Sequence, residues 1–192
     1  MREFVYYSEN APTKGNFGND LMKAGRIDIA THIVIGSFFI SNKTRTDVKL
    51  HLIFNGKPDP TKHLEITPSE EVHISKKDII GLIKRMLYKY KKGEKFEAMP
   101  NCFIEKKSLK RVLDELESAG NEIYILDPKG EDIRNIEITD KMAFVIGDQE
   151  GIPKKELKTL RKKFKTLSVG KKTYFASQTL TIIQNEIDRR GH

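Results

Sequence analysis

Three apolar runs in the second half of the chain break into short polar loops that carry glycine: "LDPKG" from Leu126, "GDQEG" after Ile146, and "SVGKK" after Leu167. Glycine directly after an apolar strand leaves backbone that a flat ligand can lie against, or supplies a positive φ. Turn chemistry alone explains any one such loop. Three of them at one sheet edge would instead form a common binding cleft. Within "VIGDQEGIP", residues 145–153, Gly147 is the residue expected against a ligand, while Gly151 and Pro153 shape the turn and start the next helix. Asp148, Gln149 and Glu150 either hold that loop or line the mouth of the cleft.

Other chemistries are excluded by what is missing. "SVGKKT" ends like a phosphate-binding loop, but Lys165 stands where such a loop needs its first glycine. No G-x-G-x-x-G follows a strand, and no G-x-S-x-G elbow is present. His32, His51, His63, His73 and His192 are scattered without metal-ligand spacing, and no metal is expected. Cys102 is the only cysteine, which rules out an intrachain disulfide and a thiolate zinc cluster.

The elements that must position these loops alternate. "EFVYY" reads as a strand entering a long polar loop, and "DIATHIVIGSFFI" as a buried helix, apolar at Ile29, Ile33, Ile35, Gly36 and Ile40 and capped by Asp28 or Thr31. "VKLHLIFNG" is a strand ending at a turn, and "LEITP" a short one. Ser75 with Asp78 makes a capping box for a helix running almost to Gly93, and Ser108 caps another that Gly120 stops. Strand "NEIYILD", strand "KMAFVIGD", a helix with Leu157, Leu160 and Phe164 inward, strand "KTLSVG" and a final helix with Ala176, Leu180, Ile183 and Ile187 inward complete the chain. Such alternation implies an α/β fold, a mostly parallel sheet with helices on both faces, whose ligands sit at the carboxyl ends of the strands.

The 192 residues, 38% hydrophobic, suit a single domain over 1–192. The sequence shows neither a signal peptide nor a membrane-spanning run, so a cytoplasmic protein with no membrane partner is expected. Its 35 Lys and Arg against 27 acidic residues leave a net charge of +8. That excess favours a polyanion, nucleic acid first, because each cation meeting a phosphate releases condensed counterions. Ion-pair networks on a Lys-rich surface are the alternative.

The order of motifs, "FVIGDQEGIP", helix, strand, "LSVG", short loop and "FASQTLTIIQNEIDR", resembles the carboxy-terminal signature of the SPOUT methyltransferases. With "GNFGNDLMKAGRIDIATHIVIGSFFISNKTRTDVKLHLIFNG" the resemblance runs end to end and narrows to the archaeal enzymes that methylate N1 of pseudouridine 54 in the T-loop of tRNA. It implies a C-terminal trefoil knot over about residues 122–192, S-adenosylmethionine as methyl donor, and a homodimer through the last helix. Periodicity alone would not suggest a knot. Relatives often carry a His-Cys pair where this chain has Gln178 and Thr179, so a thiol-assisted mechanism is not implied.

By the same resemblance, the cofactor lies among Leu126, Gly147, Leu167, Ser168, Val169 and Gly170, with Tyr174 and Ala176 over its ends. Arg26 and Asp28 of "GRIDIA" are the implied catalytic pair, a signature shared with the ribosomal pseudouridine N1-methyltransferases. A carboxylate against N1–H would orient the base and accept its proton, and the guanidinium would hold a phosphate or offset charge on the ring carbonyls. Helix capping and a local ion pair are the plainer roles for the two. Lys43, Arg45, Lys106, Lys107, Lys110 and Arg111 are expected to meet RNA phosphates, whereas the lysines of 154–163 suit a solvated helix face equally well. Two further readings remain open: a SPOUT enzyme acting on ribosomal RNA or another atom, and a non-catalytic RNA-binding ribosome-assembly factor.

Overall fold

The computed structural model describes residues 1–68 and 74–192, so His73 lies outside the described residues. Side-chain alternation explains the layering. In β1 (Arg2–Ser8), Phe4 and Tyr6 enter one buried cluster and Val5 and Tyr7 another, the period-two split of a strand covered on both faces. The remaining strands are β2 (Phe39–Ile40), β3 (Lys43–Thr44), β4 (Val48–Phe54), β5 (Lys62–Ile66), β6 (Phe96–Met99), β7 (Cys102–Glu105), β8 (Glu122–Asp132), β9 (Met142–Gly147) and β10 (Lys165–Ser168). β2 and β3 form a small ribbon, and the others one sheet in the order β10-β8-β9-β1-β4-β5-β7-β6. From β10 to β4 the neighbours run parallel, and from β4 to β6 they run antiparallel.

Helices α1 (Ile27–Phe38), α2 (Ile79–Tyr88) and α5 (Ala176–Arg189) bury their apolar stripes on one face. The opposite face carries α3 (Leu109–Ser118) and α4 (Lys154–Lys163). α3 buries Leu109, Val112, Leu113 and Leu116, but α4 only Leu160. At about 1.5–3 kcal/mol per fully buried side chain, α4 is the more weakly anchored of the two by several kcal/mol. None of the described helices is long and apolar enough to cross a membrane.

Several local expectations need correcting. No side chain caps α1: Arg26 stands at its N-cap in the left-handed region, φ 59°, and Asp28 lies in the first turn. The buried face of α1 is Ile27, Ala30, Ile33, Val34, Ser37 and Phe38, so Ile29 and Ile35 are only half-buried. Ser75 accepts from the Lys77 amide ahead of a single 3-10 turn instead of closing a box with Asp78, and α2 stops at Tyr88, well before Gly93. The β6–β7 hairpin has no counterpart in the sequence reading. Its strands have four residues each and turn through Asn101 at φ 56°, too short and too charged to show a period. By contrast, Ser108 accepts from the Arg111 amide at 3.4 Å and caps α3 as its sequence requires.

Candidate active site

The three glycine loops meet because their strands are neighbours. Ile125 of β8 pairs with Val145 of β9 and with Thr166 of β10, so Leu126, Ile146 and Leu167 fall at one carboxyl edge. Beyond that level β8 bulges outward over residues 126–130 and returns to pair Glu131 with Leu167. Gly130 lies under this crossing. A Cβ there would stand 2.4 Å from the Leu167 nitrogen and 2.6 Å from the Thr166 carbonyl carbon, so only glycine lets β10 pass.

Gly147 serves the loop itself. A Cβ on it would meet Gly151 Cα at 2.8 Å, so the turn folding back itself requires glycine here. Gly151 adopts φ 74° and donates to the Asp148 carbonyl at 3.0 Å. Pro153 stands one residue before α4, at its N-cap. Asp148 is buried. It accepts from the Ser8 hydroxyl at 2.7 Å and from the Glu150 amide at 2.9 Å, and its own amide donates to the Tyr7 carbonyl at 3.0 Å. Burial pushes its carboxyl above the usual range despite the Ser8 hydroxyl and nearby amides. Asp148 is therefore the tie between the loop after β9 and the end of β1, while Gln149 and Glu150 are exposed.

Gly170 differs. It holds φ 128°, nothing stands within 4 Å of where its Cβ would be, and Ser168 Oγ bonds both its amide and its carbonyl at 3.1 Å. Leu126 and Val169 are half-buried against the core, and Leu167 is fully buried. An apolar wall beside open, hydrogen-bonded backbone suits a nucleoside with a thioether-bearing tail. Ala176 opens α5 half-buried. Tyr174 is 42% exposed and lines a shallow groove of about 530 Å³ with His32, Ile35 and Gly36 of α1 and Ser177 and Thr181 of α5.

Arg26 and Asp28 reach the same edge because α1 begins over the end of β1. A Cβ on Gly25 would come within 1.9 Å of the Asn10 carbonyl, so "GR" is pressed against the chain leaving that strand. Arg26 Nε and Nη2 each donate to Asp28 at 3.0 Å, a bidentate fork. The Arg26 hydrogen bonds hold the Asp28 carboxyl below the usual range. Tyr6 joins this site without any signal in the sequence. Its hydroxyl is buried beside Ser8, and burial, then Asp148, push its ionisation upward against the Ser8 hydroxyl, with Asp28 adding to the rise. Asp28, Asp148 and Tyr6 thus share one electrostatic neighbourhood. Period-two burial marks Tyr6 as core but does not show what its hydroxyl faces.

The expected RNA contacts divide. Lys43 and Arg111 are exposed. Arg45 forks onto Asp188, Lys106 pairs with Asp59, and Lys110 with Asp114 at 2.7 Å. Lys107 is buried and bonded to Glu105 at 2.6 Å and Glu115 at 2.7 Å, so its ammonium is committed inside the fold and a phosphate contact from it is not retained. The histidines are less scattered than their spacing implied. His51 and His63 lie on the paired strands β4 and β5 with ring nitrogens 2.9 Å apart, and their outer nitrogens meet Glu3 at 2.8 Å and Glu105 at 3.1 Å. Burial pushes His63 down to about 4, so at neutral pH its contact with Glu105 is a hydrogen bond and not an ion pair. Glu65 brings a third donor, all within 4.8 Å, but the two inner nitrogens already face each other.

A mostly parallel sheet with glycine loops, an open apolar-walled edge and an Arg–Asp fork at its carboxyl end is an α/β fold of the SPOUT type. It superposes on the crystal structure of Archaeoglobus fulgidus Nep1 bound to S-adenosylhomocysteine with a TM-score of 0.65, at 14% identity and over 99% of each chain. Residues 1–192 match the family described as "Putative SAM-dependent RNA methyltransferase", and the chain belongs to that family. It is 34% identical to a tRNA (pseudouridine(54)-N(1))-methyltransferase of Methanococcoides burtonii, over 98% of this chain and 96% of the relative. To the enzyme of the same name from Methanocella arvoryzae it is 33% identical, over 99% and 100%.

Proposed function

We propose that this chain methylates N1 of pseudouridine 54 in the T-loop of tRNA, as a cytoplasmic enzyme using S-adenosylmethionine. The observation that carries the reading is the Arg26–Asp28 fork on the same sheet edge as the Leu126, Gly147 and Leu167–Gly170 loops, in a chain alike end to end to enzymes named for that reaction. Bound S-adenosylmethionine supplies a methyl group on a sulfonium, which leaves as a thioether. Leu126 and Val169 would hold its apolar surfaces and the backbone of Gly147, Leu167, Ser168 and Gly170 its polar edges, with Tyr174 and Ala176 towards its ends.

Asp28 turns N1 of the base toward the methyl group by accepting from N1–H. As the N1–carbon bond forms, that proton leaves to the Asp28 carboxylate or to water it orients. Arg26 releases one arm of its fork to an RNA phosphate or a ring carbonyl. That release weakens the largest influence lowering Asp28, so binding RNA makes the carboxylate a somewhat better base. A base stacked in its loop has to turn outward to reach this edge. Lys43 and Arg111, with Lys106 and Lys110 where their carboxylates release them, remain available to phosphates. The decisive assay is transfer of labelled methyl from S-adenosylmethionine to a tRNA carrying pseudouridine 54, read by mass mapping of the product. Uridine or no base at 54 should accept nothing, and label on another nucleotide would reject the assignment.

The trefoil knot belongs to this reading, supported by the passage of Thr166 and Leu167 over Gly130. So does a homodimer across α1 and α5. The groove between them is apolar where Ile35 and Ile182 line it, and Phe175 beside it is 78% exposed. Replacing Ile182 by Glu is expected to shift the sedimenting species from dimer to monomer and to lower methyl transfer. A wild-type chain that sediments as a monomer at micromolar concentration would remove the dimer.

A further inference from the structure

The cations of this chain differ by what already holds them. The acids of α3 hold neighbouring lysines: Asp114 pairs with Lys110, and Glu115 with Lys107 just before the helix. α4 is not so supplied. It carries six cations and a single acid, Glu156, and Lys154, Lys155, Lys158 and Lys162 are exposed with no ion pair among the described residues. Lys154–Lys158 and Lys158–Lys162 are like-charge pairs one turn apart, which weaken a helix. Lys154 and Lys155 also occupy the first turn, where the positive end of the helix repels them. The basic residues of the last turn suit the opposite end of the dipole, so the conflict is concentrated at the start of the helix.

That start is at the active edge. α4 begins seven residues after Gly147, at the mouth of the loop that Asp148 ties to β1. Lys154, Lys158 and Lys162, with Leu157 and Arg161, line an open concavity of about 630 Å³. Arg161 also reaches Asp127 in the bulge after Leu126, which joins this concavity to the cofactor loops. A weakly anchored helix that keeps unfavourable charges beside a site breaks a local rule where function is expected.

We propose that Lys154, Lys158 and Lys162 form a phosphate-docking ridge for the RNA substrate, which sets the register that brings the target base to Arg26 and Asp28. The inference rests on the reading of the chain as a tRNA methyltransferase. The ligand is the backbone of a folded RNA stem. Its phosphates neutralise the ridge and fix its position without reading sequence.

The test uses the full chain and a tRNA transcript carrying pseudouridine 54. The triple variant Lys154→Ala/Lys158→Ala/Lys162→Ala is compared with Lys77→Ala/Lys91→Ala/Lys92→Ala, which removes the same charge elsewhere. Alanine at exposed helix positions favours the helix, so the ridge variant should fold. Removing one lysine that neutralises a phosphate reduces the slope of log affinity against log salt by about 1. The ridge variant should therefore lose about 2 to 3 from that slope, and KM for tRNA should rise. Its affinity for S-adenosylmethionine should match wild type. An unchanged slope, or one no lower than in the control, makes the lysines a solvated face and overturns the ridge alone. A wild-type chain that neither binds nor methylates tRNA overturns the proposed function and the ridge with it.

Discussion

Replacing Asp28 by Asn is expected to slow single-turnover methyl transfer by about a hundredfold or more, the range for removing a positioned proton acceptor. Asparagine keeps the shape of the side chain and one oxygen acceptor. It cannot take a proton, and its amide cannot accept both arms of the Arg26 fork. The cofactor is assigned to other loops, so affinity for S-adenosylmethionine should not change. Stability should change little, because the fork is partly exposed and surface ion pairs contribute about 0–1 kcal/mol. Arg26 holds the Asp28 carboxyl below its ordinary 3.8, so it is ionised throughout neutral pH and the defect should be the same at about pH 6 and pH 8. Asp28→Asn with a wild-type rate would reduce Asp28 to a tether for Arg26.

How far that site can be read from sequence depends on where the information lies. The apolar runs reaching Leu126, Gly147 and Ser168 are legible because continuous apolar runs broken by glycine are what a buried parallel strand and its turn require, although β8 continues through "LDPKG" to Asp132. α5 and α3 are legible through a different period, since Leu180, Ile183 and Ile187, and Leu109, Val112 and Leu116, fall at helical spacing on one face. Adjacency is not legible. Asp148 looks like any loop acid until β1 and β9 pair and bring Ser8 to it. His51 and His63 are twelve residues apart and meet only through the antiparallel register of β4 and β5. Lys107 reads as a solvent cation, because burial of its ammonium depends on Glu105 and Glu115 arriving from a strand and a helix. Arg26 and Asp28 are reached by resemblance, since an Arg-x-Asp at a helix start has no signal of its own.

Gly130→Ala is expected to be strongly damaging for a single added methyl. In the sequence "LDPKG" reads as one more loop, yet the contact that demands glycine is with backbone. The added Cβ would lie 2.4 Å from the Leu167 nitrogen and 2.7 Å from the Leu167 carbonyl carbon. A flexible side chain could move aside, but these atoms belong to the strand paired with β8 on either side of the crossing. Overpacking against side chains costs about 1–3 kcal/mol, and against fixed backbone the cost should reach or exceed the top of that range. For a chain of this size about 3 kcal/mol corresponds to a fall in Tm of roughly 6–12 °C. Because the crossing lies between Leu126 and the Leu167–Gly170 loop, where the cofactor is proposed to sit, binding of S-adenosylmethionine should weaken at temperatures where the variant is still folded. Gly147→Ala, with its Cβ 2.8 Å from Gly151, should be milder, since a turn can open where a crossing cannot. Gly18→Ala, with nothing within 4 Å, should be silent and serves as the control. Thermal unfolding of the three variants with and without S-adenosylmethionine decides the matter. If Gly130→Ala melts and binds like Gly18→Ala, β10 does not pass over Gly130 as described, and the main support for the knot in this chain disappears.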